Sequence, residues 1–203
     1  HGMCQIAVTM AQMCGVKPLR NELLDRLAQQ FLSGVAEYAL SLRIRRDDRA
    51  IDDDVVAGVV SAPALGRRWW AARGTGAWTG KSLAAATRCH VSVIDSLDQA
   101  SLSYSSLAGW DETGRLEAFL HLMLACWRTR AYGDFWSYML LADGAVDIAT
   151  EPALALHDMA APAVIVEEAG GRFTDFNGKP GPLGTAALAT NGVLHDEVLS
   201  IIG

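Results

Sequence analysis

Residues 156–178 read LHDMAAPAVIVEEAGGRFTDFNG, and this stretch decides the architecture. Its first half is an apolar run of helical length, opened by Asp158 and stopped by Gly170 and Gly171. Glycines close helices because they accept backbone angles that other residues resist. Its second half, 172–176, has the composition of a strand and runs into an Asn177–Gly178 turn. The spacing predicts a helix over 159–169 and then a short strand. Asp158 has two readings. It is a helix N-cap, worth typically ~1 kcal/mol, or it is a carboxylate facing a metal or phosphate beside a helix N-terminus that itself favours anions. Ala160 and Ala161 behind it allow close packing on a neighbouring element.

Outward from this stretch, short apolar strands alternate with helices. Residues 55–61 (VVAGVVS) form a buried-strand pattern ended by Pro63. Residues 68–72 form a second strand, which turns through Gly74, Thr75 and Gly76 into AWTG. That hairpin would bury Trp69, Trp70 and Trp78, and its Gly-x-Gly reads as a turn and not as a nucleotide loop. A strand is expected over 100–105, a helix over 116–127, a helix over 133–143 closed by Gly144, and a strand over 145–149. A strand over 185–190 and a helix over 194–202 follow. Ahead of residue 55 the texture differs. Residues 21–32 carry a helical apolar stripe, 35–42 are apolar, and 43–54 (RIRRDDRAIDDD) are a dense run of both charge signs, read as an exposed loop or hairpin tip. The chain therefore divides into a divergent N-terminal segment, 1–54, and a layered α/β or α+β domain, 55–203.

The 203 residues are 51% apolar and 20% charged, a globular composition. A formal charge of −6 gives no electrostatic reason for nucleic-acid binding. The opening HGMCQIAVTMAQMCG lacks a basic leader region and a spanning length of apolar residues, so no membrane partner is expected and cytoplasm is the expected compartment. Cys4, Cys14, Cys89 and Cys126 sit in apolar surroundings without CxxC spacing and read as reduced core thiols. His90, His121 and His195 are scattered and read as surface or capped residues. His157, beside Asp158, is a structural residue or a tuner of a site there.

Taken together, 156–178, GVVSAPALGRRWWAARGTGAW (58–78) and RTRAYGDFWSYMLLADGAVDIATEP (128–152) resemble the C-terminal half of the inositol monophosphatase superfamily. The SAPA, RRWWAARG and RAYGDF segments are most similar to its bacterial histidinol-phosphate phosphatase branch. The family's usual Trp-Asp-x-Ala-Ala appears here with His157 in place of the tryptophan. The resemblance implies a layered α+β sandwich of the sugar-phosphatase type and a magnesium-dependent phosphomonoesterase. Its substrate would be a small alcohol phosphate, histidinol phosphate in preference to inositol phosphate. Asp158 matches the family's third metal-binding aspartate, Glu151 the glutamate that contacts a substrate hydroxyl, and Gly133 with Asp134 the segment that lines the substrate pocket. The family's Glu-Glu and Asp-Pro-x-Asp-Gly-Thr motifs have no match, and their roles are not carried onto Glu22, Asp25 or the acids at 52–54. Residues 30–42 (QFLSGVAEYALSL) resemble the strand that follows the second motif. Weak Mg2+ binding is the resulting expectation, since a single carboxylate holds magnesium poorly. The alternative is a non-catalytic homologue that serves as an interaction protein. Apolar surface left uncovered by a divergent first half would also make the chain a homo-oligomer.

Overall fold

Five strands joined by short connections make the first sheet: β1 (Tyr38–Ile44), β2 (Asp54–Ala62), β3 (Arg67–Ala72), β4 (Ala77–Gly80) and β5 (Thr87–Arg88), each antiparallel to the next. A computed structural model describes residues 54–203 and the backbone of Tyr38–Ile44, with side chains from Val55 onward. The helix expected over 21–32, Glu22, Asp25, Cys4, Cys14 and most of the charged run lie outside the described residues. Part of the apolar stretch at 35–42 falls in β1, where Tyr38 pairs with Ser61 and Leu40 with Val59. The expected hairpin is β3–β4, with Trp70 opposite Trp78. Gly74 and Gly76 at its turn have φ of 76° and 80°, a region that glycine enters without a Cβ clash.

The second sheet has the order β7-β6-β8-β10-β9. Its strands are β6 (Ser101–Ser103), β7 (Arg128–Arg130), β8 (Ile148–Glu151), β9 (Arg172–Thr174) and β10 (Ala187–Thr190). β6 runs parallel to both neighbours, and β10 is antiparallel to β8 and β9. Among the described residues five α-helices cover this framework: α1 (Leu107–Glu112), α2 (Leu116–Ala125), α3 (Asp134–Ala142), α4 (Leu156–Glu168) and α5 (His195–Ile202).

Side-chain alternation sorts these elements into layers. Ala149, Ala187 and Ala189 of the second sheet join Trp69, Tyr138, Ile165 and Val166 in one core, so α3 and α4 lie between the two sheets. Ile148 and Leu188, on the opposite face, join Trp110, Phe119, Leu122 and Val198 in another, under α1, α2 and α5. Each large side chain fully buried in this way contributes roughly 1.5–3 kcal/mol relative to exposure. In the second core Trp110 stacks on Phe119 with centroids 4.0 Å apart. The central helix approaches the first sheet closely. A Cβ at Gly58 would fall 2.8 Å from the Cα of Ala161, so this contact needs glycine on β2 and a small residue on α4. That is the close packing expected of the paired alanines.

Several local expectations shift. α4 begins at Leu156 with Ala155 as its N-cap, so Asp158 sits in the first turn and does not cap it. Pro162 lies inside the helix. Lacking an N–H, it leaves the Asp158 carbonyl without its helical donor. The strand expected over 145–149 is β8, displaced to Ile148–Glu151, and α2 ends at Ala125, leaving Trp127 63% exposed. α1, β5 and β7 are too short for periodicity to reveal. Cys89 is buried beside Asp143, and burial first, then that carboxylate, pushes its thiol up to about 12; Cys126 is half-buried. His90 and His121 are exposed.

His195 corrects the surface reading: it is fully buried, and its two ring nitrogens meet Thr190 Oγ1 and Thr174 Oγ1, each at 3.0 Å. The reason is tertiary. His195 opens α5 directly behind β10, which carries Thr190, and β9, which carries Thr174, is β10's neighbour. No described helix is long and apolar enough to cross a membrane.

Candidate functional site

Strand register builds the site. Ser103 of β6 lies opposite Arg130 of β7 on one side and Ala149 of β8 on the other, with all three strands parallel. Their carboxyl ends therefore point the same way, and two residues further along, Ser105 and Glu151 come level. In open α/β sheets the crevice beyond the carboxyl ends of parallel strands is where ligands bind.

From β7 the chain enters α3 through Gly133 and Asp134, at φ of 76° and 47°. The Gly133 N–H donates to the Tyr104 carbonyl at 3.2 Å, which ties the start of α3 to the end of β6. Gly133 is the N-cap and Asp134 the first helical residue, in a left-handed conformation that aspartate tolerates better than most side chains. The Asp134 carboxylate is exposed. One turn on, Ser137 and Ser103 pair through their hydroxyls at 2.6 Å, and the Tyr138 hydroxyl stands 3.5 Å from Glu151 Oε1.

Glu151 is only 4% exposed. Burial pushes its carboxyl up to about 7; hydrogen bonding from the Ser105 hydroxyl opposes this, and the charges of Asp134 and Asp158 reinforce it. Desolvation likewise raises the Tyr138 phenol well above its ordinary value, with Glu151 adding to the effect. Asp158 comes from the first turn of α4 with its side chain 30% exposed, and His157 Nε2 lies 3.7 Å from its Oδ2. Asp134, Glu151 and Asp158 thus share one electrostatic neighbourhood at the strand ends.

That neighbourhood brings together every site residue expected from the sequence: Gly133, Asp134, Glu151 and Asp158. It adds two that local patterns missed, Ser105 and Tyr138. Nothing in the ASLSYS alternation or the helical run at 134–142 marks either one, because both gain their place from strands and helices distant in the chain. Among the described residues, no three His, Cys, Asp or Glu side chains come together to hold a metal ion. The described carboxylates by themselves do not fit a divalent cation.

Sheet, helix pair, sheet and helix layer, with three acids close together at the parallel strand ends, define a layered α/β protein. The model of the Inositol monophosphatase family matches residues 29–202. A histidinol-phosphatase of Streptomyces coelicolor is 59% identical over 147 residues, covering 72% of this chain and 55% of the relative. One from Mycobacterium tuberculosis is 50% identical over 173 residues, covering 85% and 64%. An inositol monophosphatase from Zymomonas mobilis superposes with a TM-score of 0.66 at 26% identity, over 73% of this chain and 57% of that one. The chain belongs to the inositol monophosphatase family. It spans 55% and 64% of the length of those two histidinol-phosphatases.

Proposed function

We propose that the chain carries the substrate-recognition part of a magnesium-dependent phosphomonoesterase acting on a small alcohol phosphate, with histidinol phosphate preferred to inositol phosphate. The observation that carries this reading is the convergence of Glu151, Asp134 and Asp158 at the carboxyl ends of β6, β7 and β8. The identity of the chain to two proteins named histidinol-phosphatase supports the choice of substrate. Glu151, nearly buried and able to accept further hydrogen bonds, would take a substrate hydroxyl. Asp134, exposed at the rim beside Gly133, would meet the ammonium group of an amino-alcohol and has no such partner in an inositol. Asp158 would supply one carboxylate for magnesium, which in such chemistry neutralises phosphoryl charge. With a single acid placed for it, Mg2+ affinity of the chain is weak in this reading.

A second reading, a homologue without catalysis that serves as an interaction protein, is favoured by the lack of a three-acid cluster among the described residues. Titration calorimetry with Mg2+, followed by hydrolysis assays on histidinol phosphate and inositol 1-phosphate, separates the two. Weak magnesium binding lost in Asp158→Asn, with faster turnover of histidinol phosphate, is expected. Faster turnover of inositol 1-phosphate would sink the substrate preference, and absence of turnover on either ester would favour the second reading. Self-association belongs to the same proposal, with Leu124 84% and Trp127 63% exposed beside the edge strand β7. Light scattering should report a dimer or larger, and a clean monomer would remove that part.

A further inference from the structure

A buried phenol must place its O–H on an acceptor, because an unsatisfied polar group away from water is costly. Tyr138 is 1% exposed, and its hydroxyl has Glu151 Oε1 as its partner, at 3.5 Å. α3 is held in the right place for this contact. Ser137, the preceding residue, bonds Ser103 on β6, and the Gly133 amide bonds the Tyr104 carbonyl. The Tyr138 ring also rests on Phe173 of β9, with centroids 5.7 Å apart, so its position does not depend on the hydroxyl.

A carboxylate has about four lone-pair sites. At Glu151 the Tyr138 hydroxyl takes one of them, with the Ser105 side chain close by at the end of β6, which restricts the carboxylate's orientation and leaves other lone pairs for a ligand. We propose that Tyr138 is a positioning residue: its hydroxyl orients the Glu151 carboxylate so that the free lone pairs meet the hydroxyl of an alcohol phosphate. This rests on the reading of Glu151 as a substrate-facing residue. Its effect is selective, because Tyr138 acts on the group that recognises the alcohol and leaves phosphate recognition alone.

The test uses the full chain labelled with [δ-13C]glutamate, in wild-type, Tyr138→Phe and Glu151→Gln forms. The Glu151 resonance is identified by its loss in Glu151→Gln. In Tyr138→Phe we expect that resonance to move at fixed pH. Affinity for histidinol phosphate should fall about tenfold, the scale of one lost hydrogen bond to a charged group, while affinity for inorganic phosphate and the thermal midpoint stay close to wild type. An unmoved Glu151 resonance overturns the proposal. So does a moved resonance with unchanged histidinol phosphate affinity, provided Glu151→Gln does weaken binding. If Glu151→Gln binds histidinol phosphate like wild type, the substrate reading of Glu151 falls, and the positioning role falls with it. Should Tyr138→Phe fail to fold, fluorotyrosine labelling keeps the ring and makes the phenol a stronger donor. The Glu151 resonance must then still move, and a static one overturns the proposal.

Discussion

α4 carries a carboxylate at each end, and the fold treats the two in opposite ways. Glu168, its last residue, accepts from three consecutive backbone amides at the β3–β4 turn: Gly74 at 2.7 Å, Thr75 at 3.1 Å and Gly76 at 2.7 Å. An acid at a helix C-terminus is disfavoured by the helix dipole, and the three amides offset that with charge-assisted hydrogen bonds. Asp158, in the first turn, has the favourable end of the dipole, yet its one ion-pair-range contact among the described residues is the half-exposed His157 side chain at 3.7 Å. One acid is spent on architecture, bolting the helix to the first sheet. The other keeps its side chain 30% exposed. Helix-dipole electrostatics alone would have ranked them the other way round.

The largest expected effect tests the filled end. Glu168→Ala removes acceptors from three amides and should lower stability by about 2–4 kcal/mol in chemical denaturation. Asp158→Ala should change stability by only roughly 0.5–1 kcal/mol. Similar losses in the two variants would break the contrast between a structural and an open carboxylate.

The same contrast recurs between two buried titratable groups at the second sheet, Glu151 on β8 and His195 at the start of α5, and pH sharpens it. His195 has both nitrogens satisfied, and burial, with Arg172 adding, lowers it from 6.5 to about 4. The unfolded chain therefore binds a proton that the folded chain refuses between about 4 and 6.5, and this contribution to stability is lost as pH falls through that window. Glu151 behaves in the opposite sense. Its folded value near 7 lies above the ordinary 4.5, so the folded chain holds a proton that the unfolded chain releases, and stability falls as pH rises from about 4.5 to 7. Each effect is on the order of 3 kcal/mol at full extent. Glu151→Gln should be more stable than wild type at pH 8 and close to it at pH 4.5. His195→Gln should lose the acid-side slope, with lower stability at neutral pH from its broken hydroxyl contacts. Denaturation midpoints across pH 4 to 8 measure both, and parallel slopes in wild type and Glu151→Gln would show that the crevice glutamate is not strained by burial.

Much of the fold was legible in local pattern. The Gly170–Gly171 stop, the Asn177–Gly178 turn and the Gly74–Gly76 hairpin are determined by backbone sterics at single residues, so the chain itself announces them. α2 shows in its helical periodicity, and α4 shows as a continuous apolar run of helical length, buried without interruption from Met159 to Val166. The resemblance of 128–152 and 156–178 to known phosphatases singled out Gly133, Asp134, Glu151 and Asp158. Tertiary structure decided the rest. Ser105 comes level with Glu151 only because β6 pairs in parallel with β8 at Ser103 and Ala149. Tyr138 reaches Glu151 only because α3 docks on that sheet, and Glu168 finds its amides only across the layer between α4 and the β3–β4 turn. His195, polar and solitary in the sequence, is buried because two threonines from neighbouring strands converge on it. Periodicity tells which face of an element is apolar. Which polar groups meet across that face depends on strand register and helix docking between distant segments, and no local pattern carries that information.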